Sequence, residues 1–371
     1  VYASMRRGGR NYYALDVTNP VEPKYLWQIT GGTGKFKKLG QTWSKMIPAK
    51  VKWDGQAKNV LFFGGGYDRD KEDCLGTVAS LNCSDGPVRR TDVTMGNAIF
   101  MVDALTGQYL WSASNDSSSE LTLPEMTSSI VSDLNIIDTD QDGLADLIYS
   151  SDTGGRLWRI DLDNNPPASS GDDMIAYGGP IADMNGGGSN NIQFYNTVDV
   201  AYINDEKSSA LPHFQLSIGS GYRAHPLNTI TNNRFYIVND YNVTDKPTTA
   251  NLSTFSQKIT ESDLVDTAVN GPLVSTSKPK GIFHKLQYAG EKVLARSTTA
   301  GNKIFFTTYR PNTGIASTSC APNVGYAYFY TLTPKYGDGV TKNDTVSVVS
   351  EKLEQTGIPP RPIVIFPPTP D

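Results

Sequence analysis

One pattern recurs along this chain: a glycine-rich turn, a short run of alternating apolar residues, an Asp, a second turn and, in some copies, a second run ending in Trp. Alternation with period two puts successive side chains on opposite faces, so each run predicts a strand with one face available for burial. The clearest copies are GGRNYYALDVTNPVEPKYLWQIT from Gly8, GNAIFMVDALTGQYLWSAS from Gly96 and GGRLWRIDLDNN from Gly154. Weaker echoes are NRFYIVNDYN from Asn233 and GYAYFYTLTPKYG from Gly325. In the second copy Ile99, Met101 and Leu110 share a face, and Asp103 to Gly107 forms the hairpin turn.

A small sheet of this kind cannot bury both faces alone, and stacking copies around an axis solves the problem. The pattern therefore predicts an all-β fold, a modified β-propeller of several four-stranded blades, with Trp27, Trp111 and Trp158 packed between neighbours. An ordinary sandwich is the alternative. Five copies imply an incomplete ring in this fragment. Residues 1–371 are read as one propeller domain, the C-terminal part of a larger secreted protein.

Uneven spacing of the copies implies insertions at about 67–90, 166–191 and 242–280, the first two read as surface loops. The third holds TFSQKITESDLVD, the one passable short helix. The ending GIPPRPIVIFPPTPD is too proline-rich for a central strand and is expected to run extended along an edge.

Composition agrees with this reading. Gly 34, Pro 22, Tyr 19 and Phe 13 in a chain only 19% charged favour short strands and tight turns. A net charge of −5 without a basic block speaks against nucleic acid and anionic lipid as partners. No apolar run is long enough to span a membrane, and Val1 opens on strand-like sequence, as in a mature fragment lacking its signal peptide. Cys74 and Cys83 bracket a short polar loop and would suit a disulfide in an oxidising compartment, or stand as two free thiols in a reducing one. Cys320 is left over.

The sharpest chemical signal is Asp138-Thr139-Asp140-Gln141-Asp142-Gly143-Leu144-Ala145-Asp146, with carboxylates at loop positions 1, 3, 5 and 9 and Gly at position 6. Calcium is a hard cation that takes six to eight oxygens, and alternate residues of a loop wrapped by a Gly can aim oxygens at one point. Position 7 would contribute a backbone carbonyl, so Leu144 can be apolar and still be a ligand. Without a cation the four carboxylates would repel one another. The flanks SIVSDLNII and DLIYSS have strand character, and Tyr149 stands where a helix-loop-helix hand needs a bidentate Glu. A strand-loop-strand calcium site fits better, and the alternative is a solvated acidic turn. The acidic stretches Asp68 to Asp73 and Ser117 to Glu120 lack the alternate spacing and read as solvated loops.

Several segments, taken in order, resemble the PilY/PilC family of type IV pilus assembly factors and tip adhesins. They are VYASMRRGGRNYYALDVTNP, FFGGGYD from Phe62, GNAIFMVDALTGQYLW, the acidic loop followed by DTGGRLWRIDL, GSGYRAHPLNTITNNRFYIVND from Gly219, and IPPRPIVIF. The resemblance implies a modified β-propeller in an extracellular or outer-membrane protein that promotes pilus extension, often at the pilus tip. It implies one calcium ion held by the side chains of Asp138, Asp140, Asp142 and Asp146 and the main chain of Leu144, with occupancy opposing retraction. It implies pilins or minor pilins as partners, with adhesion and twitching motility; a host-cell surface receptor is a further candidate partner that the resemblance does not carry over. Calcium is expected to act on the following hairpin through Arg159.

Two other classes compete. The blade ends also resemble quinoprotein alcohol dehydrogenase propellers, but the chain has no vicinal cysteine pair, and His213, His225 and His284 are its only histidines. His225, in YRAHP, reads as a lone polar core residue or a structural hydrogen-bonder, and a non-enzyme is expected. An integrin-like propeller would share the calcium loop, but that class repeats the loop in several blades, and here there is one good copy.

Overall fold

The computed structural model describes residues 1–72, 89–166, 171–187, 190–204, 211–241, 243, 255, 258–268, 279–312, 324–333 and 347–365. The two cysteines of the polar loop and Cys320 lie outside these residues. Strands dominate, arranged in several small sheets, and the chain divides into two compact units.

The first unit takes residues 1–187, 191–197 and 244–259. Its first sheet has three strands, β1 (Tyr2–Ser4), β2 (Asn11–Asp16) and β3 (Lys24–Thr30), in that order. Next come β4 (Ile47–Trp53), β5 (Gln56–Gly64), β6 (Ala98–Asp103) and β7 (Tyr109–Ser114), antiparallel neighbours in chain order, with β8 (Leu121–Thr122) added parallel to β7. The third sheet runs β9 (Asn135–Ile137), β10 (Leu147–Ser151), β11 (Arg156–Asp163) and β12 (Ile175–Asp183), all antiparallel. The two-residue β16 (Ile259–Thr260) marks the passage from the first unit to the second.

The second unit takes residues 188–190, 198–243 and 260–371. One sheet orders β13 (Asp199–Ile203), β14 (His213–Gly219), β15 (Arg234–Asp240), β18 (Gly281–Lys285) and β17 (Val265–Asp266), the last pair parallel. The other is an antiparallel meander of β19 (Thr298–Ala300), β20 (Lys303–Arg310), β21 (Tyr326–Thr333) and β22 (Ser347–Lys352). Expected as four-stranded blades, the sheets hold from three to five strands, because short parallel strands add to some edges and the first sheet has three.

Cores form between faces of neighbouring sheets. Trp27 joins Tyr12, Ala14, Phe63 and Phe100 between the first two sheets, and Trp111 and Trp158 meet around Phe62, Ile99 and Met101 between the second and third. In the second unit Phe235 and Ile237 pack on Phe306 and Tyr330, with the Phe235 and Phe306 rings stacked at 3.9 Å. The tryptophans therefore sit between sheets, as the repeat predicted. The first two copies agree in detail. Trp27 lies opposite Ala14 and Trp111 opposite Met101, and in each pair the next residue back, Leu26 or Leu110, is bulged out of register.

The segment 166–191, expected as a surface loop, carries the nine-residue β12, paired along β11. Its Gly178-Gly179-Pro180 looks like a turn but is a strand under tight contact. A Cβ on Gly178 would stand 2.9 Å from Ile160 Cγ1, one on Gly179 would stand 2.6 Å from Phe255 Cβ, and Pro180 faces Trp158 at a bulge. Of the segment 254–266, expected as a short helix, the described run 258–266 holds a 3₁₀ turn, Glu261–Asp263, between β16 and β17 (Val265–Asp266), closed by the Asp263 carboxylate accepting from the Thr260 N–H at 2.8 Å. Among the described residues the α-helix of the chain is α1 (Arg69–Glu72).

The start of the 67–90 segment turns inward rather than outward. Tyr67, Asp68 and Glu72 are buried, and Asp68 Oδ2 accepts from the N–H groups of Thr94 and Met95. The described part of the proline-rich end, to residue 365, runs without strand pairing against β19 and β20, its Pro362 and Pro360 carbonyls accepting from Thr298 and Thr307. No helix among the described residues is long and apolar enough to cross a membrane.

Candidate metal centre

Residues 138–146 close the hairpin between β9 and β10, whose last ladder pair is Ile137 with Leu147. The strand flanks read from the sequence are therefore present, and Tyr149 is buried within β10, paired with Asn135 on one side and Arg159 on the other. The hairpin is anchored at its base. Asp146 N–H donates to Ile137 O at 2.9 Å, and Asp146 O accepts from Leu162 N–H at 2.7 Å, which ties the loop to β11.

Within the loop the carboxylates organise the backbone. Asp138 accepts from Gln141 N–H on Oδ1 at 2.7 Å and from Gly143 N–H on Oδ2 at 2.9 Å. Asp146 Oδ2 accepts from both the N–H and the hydroxyl of Thr139, at 2.7 and 2.6 Å. Asp140 Oδ1 takes Asp142 N–H, and Asp142 Oδ1 takes Leu144 N–H at 2.8 Å. Two residues need left-handed backbone, Gln141 at φ 62° and Gly143 at φ 90°. At position 6 glycine reaches that conformation without strain, whereas Gln141 is held there by its hydrogen bond to Asp138.

The outcome is convergence. Asp138, Asp140 and Asp146 each place a carboxylate oxygen within 4.8 Å of the other two, and among the described residues they are the one such group of three. Oxygens on opposite sides of a calcium ion, each at about 2.4 Å, stand about 4.8 Å apart, so these three can share one ion. The donor set is all oxygen, as a hard cation requires. Asp142 does not join the cluster, and its carboxylate caps the turn at Leu144, which is half-buried.

Residues without any acidic signal complete the support. Asn164, just past β11, donates its Nδ2 to Ala145 O and accepts Lys52 N–H on Oδ1, both at 2.9 Å. Ala145 N–H in turn donates to Lys50 O at 2.8 Å. The far end of the loop is thus clamped to β4 of the neighbouring sheet. Sequence reasoning missed Asn164, and the trace of it there is the Asn pair 164–165 just past β11, the second strand after the loop. Arg159 is buried and grips Asp161 with two nitrogens, at 2.6 and 3.0 Å, on its own strand.

No protein-family model matches the chain. Among curated proteins it is 29% identical over 159 residues to the type IV pilus biogenesis factor PilY1 of Pseudomonas aeruginosa, an alignment covering 43% of this chain and 11% of that protein. It is 24% identical over 357 residues to a PilY1 homolog of Xylella fastidiosa, covering 88% of this chain and 21% of the relative. The chain therefore spans a small part of the length of these relatives. Among solved structures the crystal structure of the Pseudomonas aeruginosa PilY1 C-terminal domain aligns with a TM-score of 0.62 at 16% identity, over 95% of this chain and 74% of that one. The chain is similar to PilY1 proteins in sequence and to the C-terminal domain of one of them in fold, so the resemblance carried by its motifs holds.

Proposed function

We propose, from this kinship, that the chain is the C-terminal propeller of a calcium-binding type IV pilus biogenesis factor, a non-catalytic protein of the cell surface. In this reading it supports pilus extension against retraction, and with it adhesion and twitching motility. The observation that carries the metal part is the convergence of Asp138, Asp140 and Asp146 on one point. Calcium bound there would supply positive charge to carboxylates that otherwise repel, and Leu144 and Asp142 would complete its shell from the next turn of the loop.

The chain's own residues determine what that ordering reaches. Through Asn164 and Ala145 the loop is fastened to β4, and through Leu162 to β11, so two sheets feel its state. A surface held in this way is suited to engage pilins or minor pilins. The test is a strain carrying Asp140→Ala in the full-length protein. It should display fewer surface pili than wild type while retraction is possible, and regain them when the retraction motor is deleted. Normal piliation in the retraction-competent strain would overturn the reading.

A further inference from the structure

On the first unit, away from the acidic loop, a cavity of about 160 Å³ lies between the turn that follows β3 and the end of β7. At roughly 30 Å³ per water it has room for about five waters, the scale of a single sugar ring rather than a polymer. Ala98 and Phe100 of β6 give it an apolar part, and its lining also carries Lys35, Lys37 and Lys38, the hydroxyls of Ser112 and Ser114, and one carboxylate, Asp116.

The three ammonium groups differ in what neutralises them. Lys37 pairs with Asp116 at 2.7 Å, and Lys35 lies 3.6 Å from Glu120 and over the Tyr109 ring at 4.9 Å. Lys38 is half-buried, and among the described residues its ammonium meets no carboxylate within ion-pair distance. It donates instead to Asn115 Oδ1 at 3.0 Å, an oxygen that Asn97 Nδ2 also uses. A half-buried cation with N–H groups to spare, in a cavity lined by hydroxyls and by one carboxylate already paired with Lys37, is a site for an anion. Burial, the largest influence, lowers the pKa of Lys38, and the pull of the Asp116 and Asp68 carboxylates in the other direction does not offset it.

The serine hydroxyls are held in place, which favours a ligand that hydrogen-bonds at fixed points. Ser114 Oγ lies 2.6 Å from Ser119 Oγ, and Ser112 Oγ lies 2.8 Å from the Tyr109 hydroxyl. We infer that this cavity binds one carboxylate-bearing sugar unit, its carboxylate on Lys38, its hydroxyls on the Ser112 and Ser114 side, and its C–H face on Phe100. The inference does not depend on the calcium loop.

Isothermal titration of the intact chain with glucuronate, glucose and inorganic phosphate tests it. Glucuronate should bind at one site, glucose should bind at least about tenfold more weakly, and Lys38→Met should weaken glucuronate by a similar factor, the weight of one charge-assisted hydrogen bond. Should Lys38→Met fail to fold, acylation of Lys38 in the wild-type chain, followed by mass spectrometry, gives the same answer, because glucuronate should slow it and glucose should not. The inference is overturned by no glucuronate binding, by glucuronate binding that ignores Lys38, by phosphate binding in its place, or by unaltered acylation.

Discussion

Glu72 is a carboxyl group placed where a carboxylate is costly. It is buried, and burial pushes its pKa from 4.5 up to about 7, although hydrogen bonds to its Oε1 from Thr153 and Ser129 pull the other way. A folded-state pKa above the unfolded one means that the native state holds its proton more tightly. The associated stability is therefore present below about pH 4.5 and is lost as the pH rises through about 7. A shift of this size corresponds to about 3 kcal/mol. Glu72→Gln keeps an oxygen for Ser129 and Thr153 but cannot ionise, so its urea unfolding midpoint should change less between pH 5 and 8 than that of wild type and exceed it at pH 8. Parallel pH profiles would contradict the assignment. None of this was legible in the sequence. Asp68 to Asp73 reads as a charged surface run, and what turns Glu72 inward is Thr153, a residue 81 positions away.

At the level of elements, the two Tyr-Leu-Trp runs carry most of what the sequence could reveal. Tyr25-Leu26-Trp27 and Tyr109-Leu110-Trp111 open the second strands of equivalent hairpins, share a bulge at the leucine, and bury their tryptophans between sheets. They were readable because a turn residue, an alternating run and a terminal Trp recur at matching offsets. The turn of the second copy also packs on the first. Gly107 has φ 72°, and a Cβ there would stand 2.7 Å from the Trp27 ring. Gly107→Ala should cost about 1–3 kcal/mol through backbone strain and this clash, read as a lower urea midpoint. An unchanged midpoint would show that the two hairpins do not depend on this contact. The strand β12 was illegible for the opposite reason. Its Gly-Gly-Pro has the composition of a loop, and only the contacts with Ile160, Trp158 and Phe255 make it a strand.

For the molecule as a whole, the all-β architecture and the resemblance to PilY1 proteins followed from local signals, whereas the way the acidic loop is supported did not. Alternate aspartates and a glycine at position 6 predict a cation loop by spacing alone, and three of those carboxylates converge closely enough to hold an ion. That Asp142 caps the turn, and that Asn164 joins the loop to β4, depends on contacts between sheets that no local pattern encodes. In the proposed function one divalent ion orders this loop. The most direct measurement is calorimetric titration of the chelator-treated chain with calcium chloride, for wild type and for Asp138→Ala and Asp140→Ala. One ion should bind per wild-type chain, and excess calcium should raise its melting temperature by several degrees, since about a hundredfold excess over Kd contributes about 2.7 kcal/mol. Both effects should vanish in each variant. A wild-type chain that takes up no calcium, or variants that bind it as wild type does, would contradict the account.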